Sequence, residues 1–307
     1  MKRTYIRRAA ELVTCSGDKA KHGSEMKEVG IIKNGAVLIE DGHIALVGST
    51  EELDKKVDFQ TAELIDAGGQ AVLPGFVDSH THFLFGGYRA DEFGWRLQGE
   101  SYLSIMEKGG GINATVTPTR AASVEDFVAV GKERLDTMLR FGVTTVEGKS
   151  GYGMDKDTEL RMLRAMKILD ESHPVDVVRT FLGPHSVLPE WKGKEREFLN
   201  YMLTEVMPEV KKEDLAEFAD IFTETGVFNI EDSTHYLQEA KKLGFRLKVH
   251  ADEIAPNFGG AEMAVRCGAH SADHLLKASD EGIRRLAEGN TIATLLPLTA
   301  FCLKEPY

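Results

Sequence analysis

The hydrophobic pattern changes near residue 66. In residues 1–66, short β-prone runs such as Val37–Ile39, Ile44–Val47 and Leu64–Ile65 alternate with turn signals such as Lys33-Asn34-Gly35. This pattern predicts a small antiparallel β unit. Because the segment is too short to make a two-sheet core alone, we expect it to be the N-terminal part of a composite β-sandwich domain.

From residue 67 onward, short β-rich runs alternate with longer amphipathic segments. An apolar run from Ala71 to Val77 opens the series. It is followed by strand candidates at Val143–Glu147, Val175–Leu182, Ile221–Thr223, Phe245–His250, Ala269–Ala272 and Thr291–Leu295. Helical patterns lie between them, with polar N-caps and terminal glycines; examples are Val124–Arg140 behind Ser123, Thr158–Leu169 behind Asp157 and Asp280–Ala287 behind Ser279. This alternation predicts an α/β fold, most economically a (β/α)8 TIM-type barrel over residues 67–307, with seven strands present and the eighth expected beyond Tyr307.

The charge of the chain argues against nucleic-acid and membrane partners, and its cysteines indicate a reducing environment. The formal net charge of −12 argues against nucleic-acid or anionic-membrane binding, because such surfaces need clustered Lys and Arg. The chain has no run near the roughly 18 apolar residues of a membrane span. Cys15, Cys267 and Cys302 form no C-x-x-C pair and are expected to be reduced. We therefore expect a cytoplasmic protein that acts on a small molecule.

His80 and His82 form a His-x-His pair behind the first predicted barrel strand. In an extended strand, residues i and i+2 project from the same face, so both imidazoles converge on one point. Neutral imidazole is a common metal ligand, and the pair therefore predicts half of a metal site. His185, His250 and His274 follow other strand ends, and the C-terminal ends of barrel strands share one rim. This recurrence favours a shared site over isolated core histidines.

Several longer motifs follow the same strand ends. They are Pro74–Arg89, Arg96–Gly99 with Gly109–Ile112, Glu147–Gly153, His250–Ile254, Ser271–Leu275 and Ala293–Pro297. Together they resemble the imidazolonepropionase family of the metal-dependent amidohydrolase superfamily, and the resemblance extends from about residue 30 to the end of the chain. It implies hydrolytic opening of the ring of 4-imidazolone-5-propanoate to give N-formimidoyl-L-glutamate, a step of histidine degradation.

The resemblance also implies a role for each rim residue. The implied ligands of one zinc or iron ion are His80, His82 and His250, and the implied substrate-binding residues are Arg89, Tyr152 and His185. Glu253, three residues beyond a proposed ligand, is a further candidate for substrate binding. The planar fork of Arg89 suits the propionate carboxylate. Glu253 could carry a proton from water to the leaving ring nitrogen, and His274 could orient that water or stabilise the developing oxyanion.

Positions around this set stay open at the sequence level. Either Asp252 or Asp273 could fix the tautomer of a ligating histidine. Lys149 lies where some members of the superfamily carry a carboxylated lysine between two metals, but the resemblance to single-metal enzymes favours a surface or hydrogen-bonding lysine. Tyr152 lies on a loop that Gly151 and Gly153 are expected to make mobile.

The resemblance implies a fourth metal ligand, an aspartate on the eighth strand, which we expect beyond Tyr307. Three explanations would account for the missing eighth strand. The chain could be a fragment of a longer enzyme, it could be a natural truncation, or a partner chain could supply the strand; we favour the first. Two other functions stay open. One is another cyclic-amide hydrolase or aminohydrolase of the superfamily, and the other is a truncated, non-catalytic barrel used in binding or assembly. The sequence does not distinguish zinc from iron. It leaves the oligomeric state open as well, with a homodimer as one alternative because dimers are common among relatives.

Overall fold

The computed structural model describes residues 2–17, 19–100, 104–105 and 108–305. The chain divides into two compact units, Met1–Gly75 and Phe76–Tyr307, and each unit has its own sheet. The last two residues, on the predicted approach to an eighth strand, lie outside the described ranges. Within those ranges, none of the helices combines the length and the apolar composition that crossing a bilayer requires.

The first unit contains a five-stranded sheet. Its strands are β1 (Arg3–Val13), β2 (Ile31–Glu40), β3 (His43–Ser49), β4 (Glu63–Asp66) and β5 (Ala71–Val72), with the short helix α1 (Thr50–Leu53) after β3. β1, β2 and β3 pair antiparallel, whereas β4 and β5 run parallel to β1. The prediction of an antiparallel unit over residues 1–66 is therefore wrong for β4. The chain crosses the sheet between β3 and β4 rather than returning through a hairpin, and a crossover yields parallel pairing.

The second unit is built on parallel strands in the spatial order β13-β12-β11-β9-β8-β7-β6. They are β6 (Phe76–Thr81), β7 (Val143–Lys149), β8 (Asp176–Phe181), β9 (Phe218–Ala219), β10 (Phe222–Thr223), β11 (Arg246–Ala251), β12 (Ser271–His274) and β13 (Ile292–Leu295). Both β9 and β10 pair with β11, so they are two pieces of one strand position. The described residues thus fill seven positions of a nearly closed TIM-type barrel, which confirms the predicted fold class.

Helices occupy the connections between these strands, and one more helix follows β13. They are α2 (Ala90–Leu97), α3 (Ile112–Ala121), α4 (Val124–Arg140), α5 (Lys156–Ser172), α6 (Glu195–Tyr201), α7 (Met207–Lys212), α8 (Ile230–Lys242), α9 (Gly260–Cys267), α10 (Asp280–Glu288) and α11 (Pro297–Leu303). α4 has the predicted bounds because Ser123 and Asp126 form a capping box. α5 begins earlier than predicted because Asp155, not Asp157, accepts the capping hydrogen bond from the N–H of Thr158.

The apolar run from Ala71 to Val77, predicted as one strand, is divided between the two units. Its first two residues form β5, and β6 begins only at Phe76, after Pro74 and Gly75. Proline has no N–H to donate to a sheet, so a strand interior is a poor place for it. The division does not disturb the His-x-His pair, because His80 still lies near the C-terminal end of β6.

Candidate active site

Five histidines meet at the C-terminal ends of the barrel strands. His80 lies near the end of β6 with His82 just after it, His250 lies near the end of β11, His274 ends β12, and His185 follows β8. Ring centroids are 4.6 Å apart for His80 and His250, and 4.9 Å apart for His80 and His274. The rings of His82 and His185 stack with centroids 4.7 Å apart. The structure therefore brings together every histidine that the sequence places on the rim.

The nitrogen atoms of this cluster are spaced for a metal ion. The Nε2 atoms of His82 and His250 lie 3.4 Å apart. Two nitrogens that each bind a tetrahedral ion at about 2.1 Å would be separated by about 3.4 Å. Potential ligand atoms lie within 4.8 Å of one another in the set His82, His185, His250, and also in the set His80, His250, His274. His250 belongs to both sets and therefore connects them.

Burial lowers the pKa values of four of these histidines. Loss of solvation lowers the pKa values of His80 and His82 well below the ordinary value, with further lowering from neighbouring histidines and Lys149. For the same leading reason, the pKa values of His185 and His274 fall to about 3. A neutral imidazole has a free nitrogen lone pair, so these four histidines are in the metal-binding form at neutral pH.

Two buried carboxylates contact the Nδ1 atoms of cluster histidines. Asp273 Oδ2 lies 2.7 Å from His80 Nδ1, and Asp220 Oδ2 lies 3.0 Å from His250 Nδ1. A carboxylate that is hydrogen-bonded to Nδ1, as Asp273 is to His80, holds the proton there and leaves Nε2 available for a metal. Of the two aspartates that the sequence left open, Asp273 contacts a histidine. Asp252 instead accepts hydrogen bonds from the N–H groups of Gly260 and Ala261, at the start of α9.

Asp220 was not among the predicted site residues. The predicted strand began at Ile221, whereas Asp220 lies between β9 and β10, each of which has two residues. The available signal was the apolar pair Phe218-Ala219 just before it, which continues the strand in the N-terminal direction. Burial alone would raise the pKa of Asp220, but His250 and Lys149 hold that pKa below its ordinary value, so the group is a carboxylate.

Lys149 lies inside the barrel, beneath the histidines. Its side chain is fully buried, and its Nζ lies 2.7 Å from Asp220 Oδ2, 3.0 Å from Glu147 Oε1 and 3.4 Å from Asp273 Oδ2. Burial lowers the pKa of Lys149, but the carboxylates of Asp220, Glu147 and Asp273 together raise it above the ordinary value. The expectation of a surface lysine is wrong, because this residue faces the barrel interior, whereas the hydrogen-bonding alternative is confirmed. Carboxylation needs a neutral amine, and these carboxylates favour the ammonium form.

Glu253 and His274 lie at one side of the cluster. Glu253 Oε1 is 3.4 Å from His274 Nδ1. Burial raises the pKa of Glu253 to about 7; His250 opposes this rise and Glu224 adds to it. Both residues line a cavity of about 270 Å³ together with apolar side chains such as Leu295. A carboxyl group whose pKa lies near neutrality can both accept and return a proton.

Of the predicted substrate-binding residues Tyr152, His185 and Arg89, the first two lie against the histidine cluster. The Tyr152 ring lies 5.6 Å from that of His82 and 5.3 Å from that of His185, measured between centroids. Residues 150–154 are buried and hydrogen-bonded, so the expectation of a mobile loop is wrong. Arg89 precedes α2, and its Nε lies 4.0 Å from Glu92 Oε2. The structure thus places Tyr152 and His185 against the histidines and pairs Arg89 with Glu92.

Known proteins are similar to this chain in sequence or in fold. The profile of the amidohydrolase family matches residues 63–114. An imidazolonepropionase from Clostridium tetani is 53% identical over 302 residues, covering 98% of this chain and 72% of that protein. Another from Parabacteroides distasonis is 55% identical with the same coverage of both chains. The chain belongs to the imidazolonepropionase family.

Membership of this family agrees with the expected fold and enzyme class. A crystal structure of 5-methylcytosine deaminase from Klebsiella pneumoniae, liganded with 5-fluorocytosine, matches with a TM-score of 0.65 at 17% identity. The match covers 98% of this chain and 67% of that one, and at this identity it shows the shared fold alone. The amidohydrolase superfamily is metal-dependent, and the histidine cluster supplies a group of side chains suited to an ion. The predicted family, fold class and hydrolase class are therefore confirmed.

Proposed function

We propose that this chain binds one zinc or iron ion and hydrolyses the ring of 4-imidazolone-5-propanoate to N-formimidoyl-L-glutamate. The observation that carries the proposal is the buried histidine cluster, with Nε2 atoms 3.4 Å apart, in a chain 53% identical to a protein named imidazolonepropionase. The substrate is a small molecule. We also propose a cytoplasmic location, in keeping with a net charge of −12 that disfavours nucleic-acid and membrane partners.

We assign His80, His82 and His250 as the metal ligands. Asp273 and Asp220 support this choice, because they contact the Nδ1 atoms of His80 and His250 and leave both Nε2 atoms available. A bound ion would lower the pKa of a water molecule and polarise the ring carbonyl.

Glu253 is the proposed proton carrier. In the hydrolysis, a water oxygen forms the new bond to the carbonyl carbon and the ring carbon–nitrogen bond breaks. Glu253 takes the proton from water and returns it to the departing nitrogen, which a carboxyl group with a pKa of about 7 can do at neutral pH. His274, whose Nδ1 lies 3.4 Å from Glu253 Oε1, is placed to orient the water or stabilise the oxyanion.

Tyr152, His185 and Arg89 are the proposed substrate contacts. Tyr152 and His185 present adjacent rings, with centroids 5.3 Å apart, next to His82. A planar imidazolone can lie against such aromatic faces. Arg89 would bind the propionate through its planar fork, in exchange for its longer contact with Glu92.

Activity and metal content test the proposal together. We expect zinc- or iron-loaded protein to convert 4-imidazolone-5-propanoate to N-formimidoyl-L-glutamate, chelator to abolish the conversion, and added metal to restore it. Loaded protein that leaves the substrate unchanged would contradict the proposal. Protein purified without chelators and found to hold neither zinc nor iron would favour the alternative of a non-catalytic binding or assembly unit.

An Arg89→Ala variant separates this substrate from those of other cyclic-amide hydrolases and aminohydrolases. Loss of the carboxylate partner should cost about 2 kcal/mol or more in kcat/KM. Arg96→Ala is the matched control, because Arg96 Nη2 also contacts Glu92 Oε2, at 3.7 Å, and is not a proposed anchor. Equal losses in the two variants would show that the effect comes from Glu92 and not from the propionate.

A further inference from the structure

Glu159 is a fully buried carboxylate in the first turn of α5. Its Oε1 accepts hydrogen bonds from the N–H groups of Gly153 and Met154, at 3.0 and 2.8 Å. Its Oε2 accepts one from the N–H of Gly151 at 2.8 Å, and the Ser150 hydroxyl also hydrogen-bonds to this carboxylate. One side chain thus binds four groups of the segment 150–154.

These bonds do not serve the helix on which Glu159 lies. Asp155 already caps α5, because its side chain accepts the hydrogen bond from the N–H of Thr158. All three backbone partners of the Glu159 side chain belong to the loop that precedes the helix. Arg120 binds the same loop, with its Nε donating to the carbonyl oxygen of Gly153 at 2.9 Å. Glu159 therefore fixes the loop rather than the helix.

The loop conformation needs such support. Gly151 has φ of +99° and Met154 has φ of +53°, and a non-glycine residue at positive φ is strained. The loop is also closely packed, since a Cβ at Gly151 would lie 2.4 Å from the carbonyl oxygen of Leu182. Charge-assisted hydrogen bonds to a carboxylate are stronger than neutral ones and can offset this strain.

Gly151 connects the Glu159 carboxylate to the candidate active site through two hydrogen bonds. Its N–H donates to Glu159, and its carbonyl oxygen lies 3.1 Å from His185 Nδ1. A hydrogen bond there places the proton of His185 on Nδ1 and turns its Nε2 away from the loop. Tyr152 is the next residue, with its ring 5.6 Å from that of His82. Movement of this short segment would displace both rings.

We propose that Glu159 is a positioning residue that holds Tyr152 and His185 in the arrangement in which they receive the substrate. Glu159 lies behind the loop and acts through its backbone. This inference rests on the proposed function, because Tyr152 and His185 are the proposed contacts to the imidazolone.

Substitution of Glu159 by Gln tests the proposal. Glutamine offers one acceptor oxygen and turns an NH2 group toward backbone N–H donors. We expect KM to rise and kcat/KM to fall by about 10- to 100-fold, as for other displacements of substrate-positioning groups, with metal content unchanged. Glu159→Asp keeps two acceptor oxygens and should recover part of this loss.

The matched control is Asp170→Asn on the same helix. Asp170 also accepts a hydrogen bond from a backbone N–H, that of Val177 at 2.8 Å, and pairs with Arg179 at 2.9 Å. This variant should lower stability without changing KM. A Glu159→Gln enzyme with wild-type KM and kcat/KM would overturn the proposal, as would equal kinetic losses in the two variants. If Glu159→Gln does not fold, the same comparison of KM and kcat/KM is made between Glu159→Asp and Asp170→Asn.

Amide hydrogen exchange separates this inference from the proposed function. In Glu159→Gln, the N–H groups of Gly151, Gly153 and Met154 should exchange about tenfold faster or more, given the strength of a charge-assisted hydrogen bond. Inactive wild-type protein would refute the proposed function, while faster loop exchange would still support the positioning role. Unchanged exchange in this loop would overturn the inference whatever the activity.

Discussion

Replacement of Asp220 by Asn perturbs the cluster without changing its volume. Asp220 Oδ1 accepts a hydrogen bond from the N–H of Ile221 at 2.7 Å, and its Oδ2 lies 2.7 Å from Lys149 Nζ and 3.0 Å from His250 Nδ1. Asparagine has one acceptor oxygen for these converging donors. If its NH2 group faces His250, Nδ1 must become the acceptor, and the proton moves to Nε2, the atom proposed to bind the metal.

The contacts of Asp220 set the size of the expected losses in metal affinity and in unfolding free energy. Loss of a carboxylate behind a ligating histidine lowers metal affinity by about 10- to 100-fold, or about 1.4 to 2.8 kcal/mol. Lys149 keeps Glu147 at 3.0 Å and Asp273 at 3.4 Å, so its charge is not left without a partner. The cost in unfolding free energy should therefore be about 1.5–3 kcal/mol, the value of one charged hydrogen bond, and not the 3–5 kcal/mol of an orphaned buried charge.

Zinc competition against a chromogenic chelator measures the first effect, and urea unfolding of metal-free protein measures the second. Asp252→Asn is the matched control, because Asp252 is also a buried aspartate but binds the N–H groups of Gly260 and Ala261. We expect it to lower stability and to leave zinc affinity within about twofold of the wild type. Wild-type zinc affinity in Asp220→Asn, or an equal loss in both variants, would refute the reasoning.

Three further changes test other parts of the structure. His82→Ala should lose most of its bound zinc or iron by elemental analysis, because His82 Nε2 lies 3.4 Å from His250 Nε2; full metal occupancy would contradict this. Glu253 must be ionised to accept a proton, and its raised pKa of about 7 means that kcat/KM should rise with pH up to that region and fall below it. A bound cation would move this rise in kcat/KM to lower pH. The Glu253→Gln variant should lose the pH dependence, and a variant that keeps it would exclude Glu253 as the titrating group. Phe228→Ala should lower the unfolding free energy by about 3–5 kcal/mol in a denaturant titration, since Phe228 is fully buried and stacks on Phe198; a loss under about 1 kcal/mol would contradict the packing argument.

Local patterns were enough to predict the elements that carry the site. The Ser123 cap and the apolar periodicity behind it predicted α4, because both signals act within a few residues. The strand ends with His185, His250 and His274 were predicted in the same way. Their convergence followed from the single rim of a parallel barrel and needed no knowledge of individual distances.

Contacts between distant parts of the chain were not predictable in this way. The interior position of Lys149 depends on Asp220, which is 71 residues away, and on Asp273, which is 124 residues away. The parallel pairing of β4 with β1 depends on a crossover connection that no local hydrophobic pattern predicts. The Glu159 bonds reverse the expectation for the Tyr152 loop, because glycines imply mobility only where nothing binds their backbone.

The sequence by itself determined the alternation of strands and helices, the five histidines at the rim and the resemblance to imidazolonepropionases. These features are properties of neighbouring residues and of motif content. Only the tertiary structure decided which aspartate contacts which histidine, that Lys149 is a buried ammonium, and that Glu159 fixes the Tyr152 loop. Such assignments depend on distances of about 3 Å between side chains far apart in sequence, and hydrogen bonds weaken steeply beyond that range.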